Sequence, residues 1–112
     1  MNIHRFKKVV KEISREYVPG LYDMIDIVCQ ISYGRDCISL VVEEPDKFLS
    51  VLRNLYHNND DIKFITKTVV IKPITKLVSN CDICEDELIE LLLTYPQKFK
   101  ERLSKLLNKY AP

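Results

Sequence analysis

The sequence predicts an α+β fold: a small, mainly antiparallel three- to four-stranded sheet with helices packed on one face, in the order α-β-β-α-β-α-α. Apolar residues recur at helical spacing near both ends of the chain, an alternating apolar pattern fills residues 24–44, and β-branched residues are frequent in 61–73. The chain has 112 residues, enough for one hydrophobic core, so we expect a single domain over residues 1–112.

The first helix is predicted from an apolar stripe between residues 3 and 17. The members of this stripe are Ile3, Phe6, Val9, Val10, Ile13 and Tyr17. Their spacings of three and four residues place them on one helical face. Pro19 and Gly20 follow the stripe and end the predicted helix.

Residues 24–44 are predicted to form a β-hairpin that turns at Gly34 and Arg35, because glycine suits the first central position of a two-residue turn. The resulting register separates an apolar face of the hairpin from a mostly polar one. It places Cys29 and Cys37 on opposite faces.

Pro45 is expected to lie in the first turn of the next helix, where proline is tolerated. Residues 61–73 are predicted to form a third strand with apolar residues on both faces. A further short strand is considered for residues 74–78. The capping pattern of Asp82 and Glu85 predicts another helix.

The last helix follows from a regular stripe that includes Phe99, Leu103, Leu106, Leu107 and Tyr110. This stripe is too apolar to stay in water, and we expect it to dock on the same chain or on a second copy.

The composition is that of a folded, intracellular protein. Hydrophobic residues make up 46% and charged residues 29% of the chain, and the net charge is +1. The sequence contains neither a long apolar run nor the apolar core of a signal peptide, so we expect a cytoplasmic protein with no membrane partner. Alanine occurs once while Ile, Lys, Asn and Asp are frequent, which is typical of an AT-rich genome, such as an archaeal or viral one.

Residues 38–64 resemble the strand-helix-strand opening of the NuoC-type subunit of respiratory complex I. The resemblance covers about a quarter of the chain and includes no diagnostic motif. It implies the same strand-helix-strand order that the pattern predicts. Because such units recur in many α+β folds, we infer no family membership from it.

Few residues favour catalysis. Gly20 and Gly34 are the only glycines, which excludes glycine-rich phosphate loops. Neither His4 nor His57 has a nucleophile at motif spacing. We therefore expect a non-enzymatic protein and assign no catalytic residue and no cofactor.

Cys81 and Cys84 are the candidate metal or redox residues. Their position at a predicted helix start favours a thiolate, whereas the acidic residues within 82–87 oppose it. A zinc site needs two more ligands, and one of Cys29 and Cys37 with a histidine is the remaining combination. A zinc-stabilised or redox domain is thus the lesser alternative function.

Basic residues are concentrated at the two ends of the chain. The charge is +3 over residues 1–16, −6 over 17–96 and +4 over 97–112, which together give the net +1. If the terminal helices lay side by side, their basic face would attract phosphates, which makes nucleic-acid binding the alternative function. Solvated helix faces also explain the pattern. The candidate nucleic-acid residues are Arg5, Lys7, Lys8, Lys11, Arg15, Lys98, Lys100, Arg102 and Lys105.

The leading hypothesis is a small interaction or assembly module that forms a homodimer or binds another protein. It rests on apolar side chains that the predicted core does not need, which an isologous dimer would cover. The candidate interface residues are Met24, Val28, Val41, Ile65, Val69 and Ile71.

Overall fold

The chain folds into packed helices. A computed structural model describes residues 3–78 and 82–110. In chain order the elements are α1 (Ile3–Tyr17), α2 (Pro19–Tyr33), α3 (Cys37–Glu43), α4 (Pro45–Leu55), α5 (Asn59–Thr66), a π-helical segment (Lys67–Ile71), α6 (Lys72–Val78), α7 (Asp82–Thr94) and α8 (Pro96–Tyr110). The described ranges contain no β-strand, so the predicted α+β fold with a sheet is wrong and the fold is all-α.

Several helices lie where the sequence places them. The predicted first helix is confirmed by α1, which covers the whole apolar stripe. The predicted starts of α4 at Pro45 and of α7 at Asp82 are also confirmed, and α8 begins at Pro96.

The predicted hairpin is two helices, α2 and α3, that meet near Gly34. Gly34 has a φ of 70°, and its N–H donates to the carbonyl of Gln30, so it is the left-handed C-cap of α2. A hairpin turn also needs a positive φ there, which is why glycine fits both interpretations. Pro19 in the first turn of α2 is the signal that distinguishes them.

Apolar residues on both sides of α2 produce the alternating pattern. Tyr22, Ile25 and Cys29 are buried on its inner side. Ile27 and Ile31 lie on the opposite side and are 56% and 79% exposed. Two apolar faces of one helix therefore imitate the period-two pattern of a strand.

The predicted second strand is α3, a short helix at the centre of the molecule. Residues 37–42 are all buried, and α1, α2, α4 and α8 pack around them. A helix that is buried on every side is apolar all round. Such a short apolar run does not distinguish a helix from a buried strand.

The predicted third strand lies within a continuous helical run from Asn59 to Val78. Inside this run the N–H of Lys72 donates to the carbonyl of Lys67, the i→i−5 bond of a π-helix. The wider turn buries Val69, Val70 and Ile71 consecutively, which explains the two-sided apolar pattern. Residues 74–78, considered as a short strand, are helical as well.

The last helix docks on its own chain. Phe99 is completely buried and Leu103 almost so, and α8 packs mainly against α7 and α4. The buried residues form one continuous core that α8 closes on one side.

Phe99→Ala should lower the free energy of unfolding by about 3–5 kcal/mol, because it leaves a cavity where a whole ring was buried. Urea denaturation followed by circular dichroism measures this change. The matched control is Phe64→Ala: Phe64 is 66% exposed, and its loss should change stability by at most about 0.5 kcal/mol. Equal effects of the two substitutions would contradict the docking of α8.

Candidate functional site

The outer face of α2 is an uncovered apolar surface, which we call the α2 seam: Gly20, Met24, Ile27 and Ile31. Met24 is 42% exposed and both isoleucines more so. Gly20 is exposed too, and a Cβ added there would meet no atom within 4 Å. The spacing of four, three and four residues is that of the contact positions in paired helices.

The charged residue at one edge of the seam is paired. Asp23 of α2 forms an ion pair with Arg15 of α1, with 3.2 Å between Oδ1 and Nε. On the other edge, Val28 is partly buried against the core. The seam therefore presents apolar side chains with a small gap at the glycine.

The predicted interface residues fall into two groups. Met24 lies on the seam and Val28 lies at its edge. Val41, Ile65, Val69 and Ile71 are buried in the core, because the sheet that would have exposed them is absent from the described helices. The sequence reasoning missed Ile27 and Ile31, which the hairpin register assigned to the buried face.

The inner face of α2 holds the start of α3 through a buried carboxylate. Asp26 accepts hydrogen bonds from the backbone N–H of Cys37 at 2.8 Å and from Nε2 of Gln30 at 2.9 Å. The N–H of Cys37 is one of the amides that a helix start leaves without an internal partner. Asp26 thus joins α2 and α3 directly.

A second carboxylate caps the same helix start. Asp36 accepts from the N–H of Ser39 at 3.2 Å and from its hydroxyl at 2.6 Å. Burial opposes ionisation of Asp36, but the hydrogen bonds from Ser39 outweigh it. The pKa of the Asp36 carboxyl therefore lies below its ordinary value.

Two buried thiols lie beside these carboxylates. Cys29 of α2 and Cys37 of α3 are fully buried and unbridged. The hairpin register, which separated them, is wrong on this point because Cys29 lies on the inner face of a helix. The interaction with Cys37 lowers the pKa of Cys29 against the opposing effects of burial, Asp26 and Asp36, whereas the interaction with Cys29, together with burial, raises the pKa of Cys37.

Tyr22 extends this polar region of the core. Its hydroxyl is buried and has no hydrogen-bond partner among the described residues. Burial, followed by the nearby Cys37 and Asp26, raises the pKa of the Tyr22 hydroxyl. The region between α2 and α3 thus contains a tyrosine, two carboxylates and two thiols.

The metal and redox candidates at the start of α7 are not tested. Cys81 and the side chain of Cys84 lie outside the described residues. Elsewhere, within the described ranges, no group of three or more His, Cys, Asp and Glu side chains is arranged to hold a metal ion. The zinc or redox use of Cys81 and Cys84 stays a prediction.

The basic residues of the two terminal helices lie in different surroundings. α1 packs mainly on α2, α6 and the π-helical segment, whereas α8 packs mainly on α7 and α4. The structure therefore does not bring the two helices together as principal neighbours.

Several of the basic side chains have partners. Lys7 pairs with Glu43 at 3.0 Å, Arg15 with Asp23, and Arg102 with Glu87 at 3.4 Å. Lys98 lies over the ring of Tyr95, with 4.8 Å from Nζ to the ring centre. Arg5 and Lys105 are exposed and Lys100 is half-buried.

Lys8 and Lys11 line a shallow depression on α1. His4 and Lys7 contribute to the same depression, and Asp36 and Ser39 form its far side. The depression thus brings three lysines of α1 to one place.

Comparisons with protein-family models, with curated proteins and with solved structures found no match for this chain. Residues 38–64, which resemble a strand-helix-strand unit in sequence, fold as α3, α4 and the beginning of α5. The implied strands are therefore wrong.

In residues 3–78 and 82–110, none of the helices combines the length and apolar character needed to cross a bilayer.

Asp36→Ala should lower the free energy of unfolding at neutral pH by about 1 kcal/mol, because α3 loses its N-cap. The low pKa of Asp36 means that its stabilisation is present above the unfolded-state pKa and is lost as the pH falls through the folded-state pKa. The difference between wild type and variant should therefore shrink in acid, as urea denaturation over a pH series would show. Glu16→Ala, at an exposed position of α1, is the control, and a pH-independent difference would contradict the account.

Proposed function

We propose that this chain is a non-enzymatic interaction module that forms a homodimer through the α2 seam. The observation that carries the proposal is the spacing of four, three and four residues between Gly20, Met24, Ile27 and Ile31, which lie on one side of α2. The opposite side of α2 is buried in the core. Exposed apolar side chains at this spacing are characteristic of helices that pack against another helix.

The order of residues in the seam favours an antiparallel pair. If a two-fold axis passes between residues 25 and 26, Gly20 lies opposite Ile31 of the second copy, and Met24 lies opposite Ile27 of the second copy. The most exposed side chain then faces the open space at the glycine. Large residues facing small ones allow helices to interlock. The seam is thus complementary to itself, as an isologous contact requires.

The small size of the seam limits the strength of this pairing. Interfaces well below the standard size belong to transient complexes. We expect a reversible dimer with a dissociation constant between about one micromolar and one millimolar. Because Arg15 and Asp23 at the seam's edge neutralise each other, we expect an affinity that depends little on salt.

Sedimentation equilibrium over a range of protein concentrations tests the dimer. The wild-type mass should rise from monomer toward dimer, and Ile31→Asp should weaken dimerisation at least about tenfold, because a carboxylate would lose its water in the contact. Phe64→Asp is the matched control, since Phe64 is also largely exposed but lies on α5, outside the seam. It should leave the dimer intact.

Gly20→Leu separates the contact from the stability of the monomer. The new side chain enters open space in the monomer and replaces a poor helix former, so the free energy of unfolding should stay equal or rise by up to about 1 kcal/mol. In the dimer it occupies the place of Ile31 of the second copy, so association should weaken. A wild-type chain that stays monomeric at its highest soluble concentration, or a dimer that only Phe64→Asp disrupts, would refute the proposal.

We place the module in the cytoplasm. Cys29 and Cys37 are buried and unbridged. Unbridged cysteines are typical of a reducing compartment.

A second candidate function is binding to a nucleic-acid backbone through α1. One observation favours it: Lys8 and Lys11 share a depression with His4, and neither lysine has an ion pair among the described residues. Lys7 contributes less because Glu43 already neutralises it.

The variant Lys8→Gln/Lys11→Gln tests this second candidate. If the depression binds phosphates, the double substitution should weaken binding of a labelled single-stranded oligonucleotide. It should also reduce the slope of log affinity against log salt by about one to two. Fluorescence anisotropy measures both. The same change at Lys98 and Lys105 of α8 is the control, and binding that is absent at low salt would exclude the function.

A further inference from the structure

We propose that Met24 is an oxidation site that controls the dimer: hydrogen peroxide converts its thioether into a sulfoxide, and the sulfoxide weakens pairing through the α2 seam. The inference rests on the proposed function, because the site has its effect where two copies of the seam meet. The oxidation itself requires only Met24 and the oxidant, so it can be measured separately from the dimer.

Met24 is the accessible sulfur of α2 and its surroundings. It is 42% exposed on the outer face of α2, whereas Cys29 and Cys37 are completely buried. These three are the sulfur-bearing residues whose burial the structure describes. Because oxidation of a sulfur requires contact with the oxidant, access favours Met24 over both cysteines.

The thioether also reacts without ionising. A cysteine must lose its proton before its sulfur attacks an oxidant, and a nearby carboxylate opposes that loss. Met24 has no such proton, so the neighbouring carboxylate of Asp23 does not suppress its reaction. The charge of Asp23 is in any case paired with Arg15.

The oxidation is a two-electron transfer from sulfur to peroxide. A lone pair of the Met24 sulfur attacks one oxygen of hydrogen peroxide, an S–O bond forms and the O–O bond breaks. The departing hydroxide takes the proton of the transferred oxygen and leaves as water. The thioether is thus oxidised to a sulfoxide, and one peroxide is reduced to one water.

The position of Met24 within the seam makes a sulfoxide unfavourable in the dimer. In the antiparallel pairing, each Met24 lies opposite Ile27 of the second copy and next to the two-fold axis, so both thioethers of a dimer are in the contact. The side chains of Ile27 and Ile31 offer no hydrogen-bond donor, so a sulfoxide oxygen would lose its water without compensation. We expect oxidation to weaken dimerisation at least about tenfold.

The monomer should tolerate the same change. Met24 lies on the side of α2 opposite the buried residues Tyr22, Ile25 and Cys29. The sulfoxide oxygen of a monomer therefore stays in water, and the urea midpoint of a dilute sample should not change. Weaker association with an unchanged midpoint separates an effect on the seam from an effect on the fold.

The sequence allows the modification to be located. Trypsin cleaves after Arg5, Arg15 and Arg35, which places Met24 in peptide 16–35 and the other methionine, Met1, in peptide 1–5. Peptide 16–35 also contains Cys29. Fragment ions on either side of Met24 therefore assign the added oxygen to the thioether or to the thiol.

The experiment treats the dilute full chain with hydrogen peroxide and then with dithiothreitol, which reduces disulfides and sulfenic acids but not a sulfoxide. Mass spectrometry locates the oxygen, and sedimentation equilibrium compares the treated and untreated chains. We expect one added oxygen on Met24 and a dissociation constant at least about tenfold higher. Methionine sulfoxide reductases, one for each sulfoxide epimer, should restore the original value.

Met24→Leu is the matched control. Leucine has a similar volume and no sulfur, so this variant should dimerise like the wild type. It should also keep its affinity after the same treatment with peroxide. A tenfold loss of affinity in treated Met24→Leu would place the effect on another residue and overturn the inference.

Two further outcomes would overturn the inference and leave the dimer standing. One is a folded chain in which peroxide leaves Met24 unmodified, and the other is a Met24 sulfoxide that dimerises as tightly as the untreated chain. Failure of the proposed function gives a different result, because the untreated wild type would stay monomeric before any oxidant is added. That result would remove the control of the dimer together with the dimer.

Discussion

The carboxylates of Asp26 and Asp36 make it possible to bury α3, and the rest of the fold is arranged around that helix. The N–H groups of Cys37 and Ser39 bond these carboxylates at 2.8 and 3.2 Å instead of water. Each would otherwise be an unsatisfied buried amide, which costs about 1–3 kcal/mol. With its start satisfied, α3 lies among α1, α2, α4 and α8 as an apolar helix without a solvated side.

The helix α2 connects this buried arrangement to the proposed function. Its inner face supplies Asp26, which holds the start of α3. Its outer face supplies the α2 seam, which the core does not need. Because the inner face fixes the rotation of α2 about its own axis, Met24, Ile27 and Ile31 must point outward. The surface proposed for self-association and the carboxylate that holds α3 thus lie on two sides of one helix.

The sequence was sufficient to predict the amphipathic helix α1 and the starts of α4 and α7, because each has one apolar face or a clear start signal. The sequence was insufficient to predict α2 and α3 as helices. The apolar residues of a helix with two apolar faces, or of a helix buried on every side, do not recur with the helical period of 3.6 residues. The decisive hydrogen bond, from the N–H of Cys37 to the carboxylate of Asp26, depends on the packing of two helices. Local spacing therefore predicted the helix at each end but not the contact between α2 and α3 or the exposure of Ile27 and Ile31.

Hydrogen exchange at the backbone amides of Cys37 and Ser39, measured by NMR on the folded chain, tests the buried and capped α3 most directly. The account predicts that both amides exchange slowly, on the timescale of global unfolding, together with the amides of residues 40–43 in the same helix. Exchange of the Cys37 and Ser39 amides at the rate of an unstructured chain would contradict it, because those amides would then be open to water rather than bound to Asp26 and Asp36.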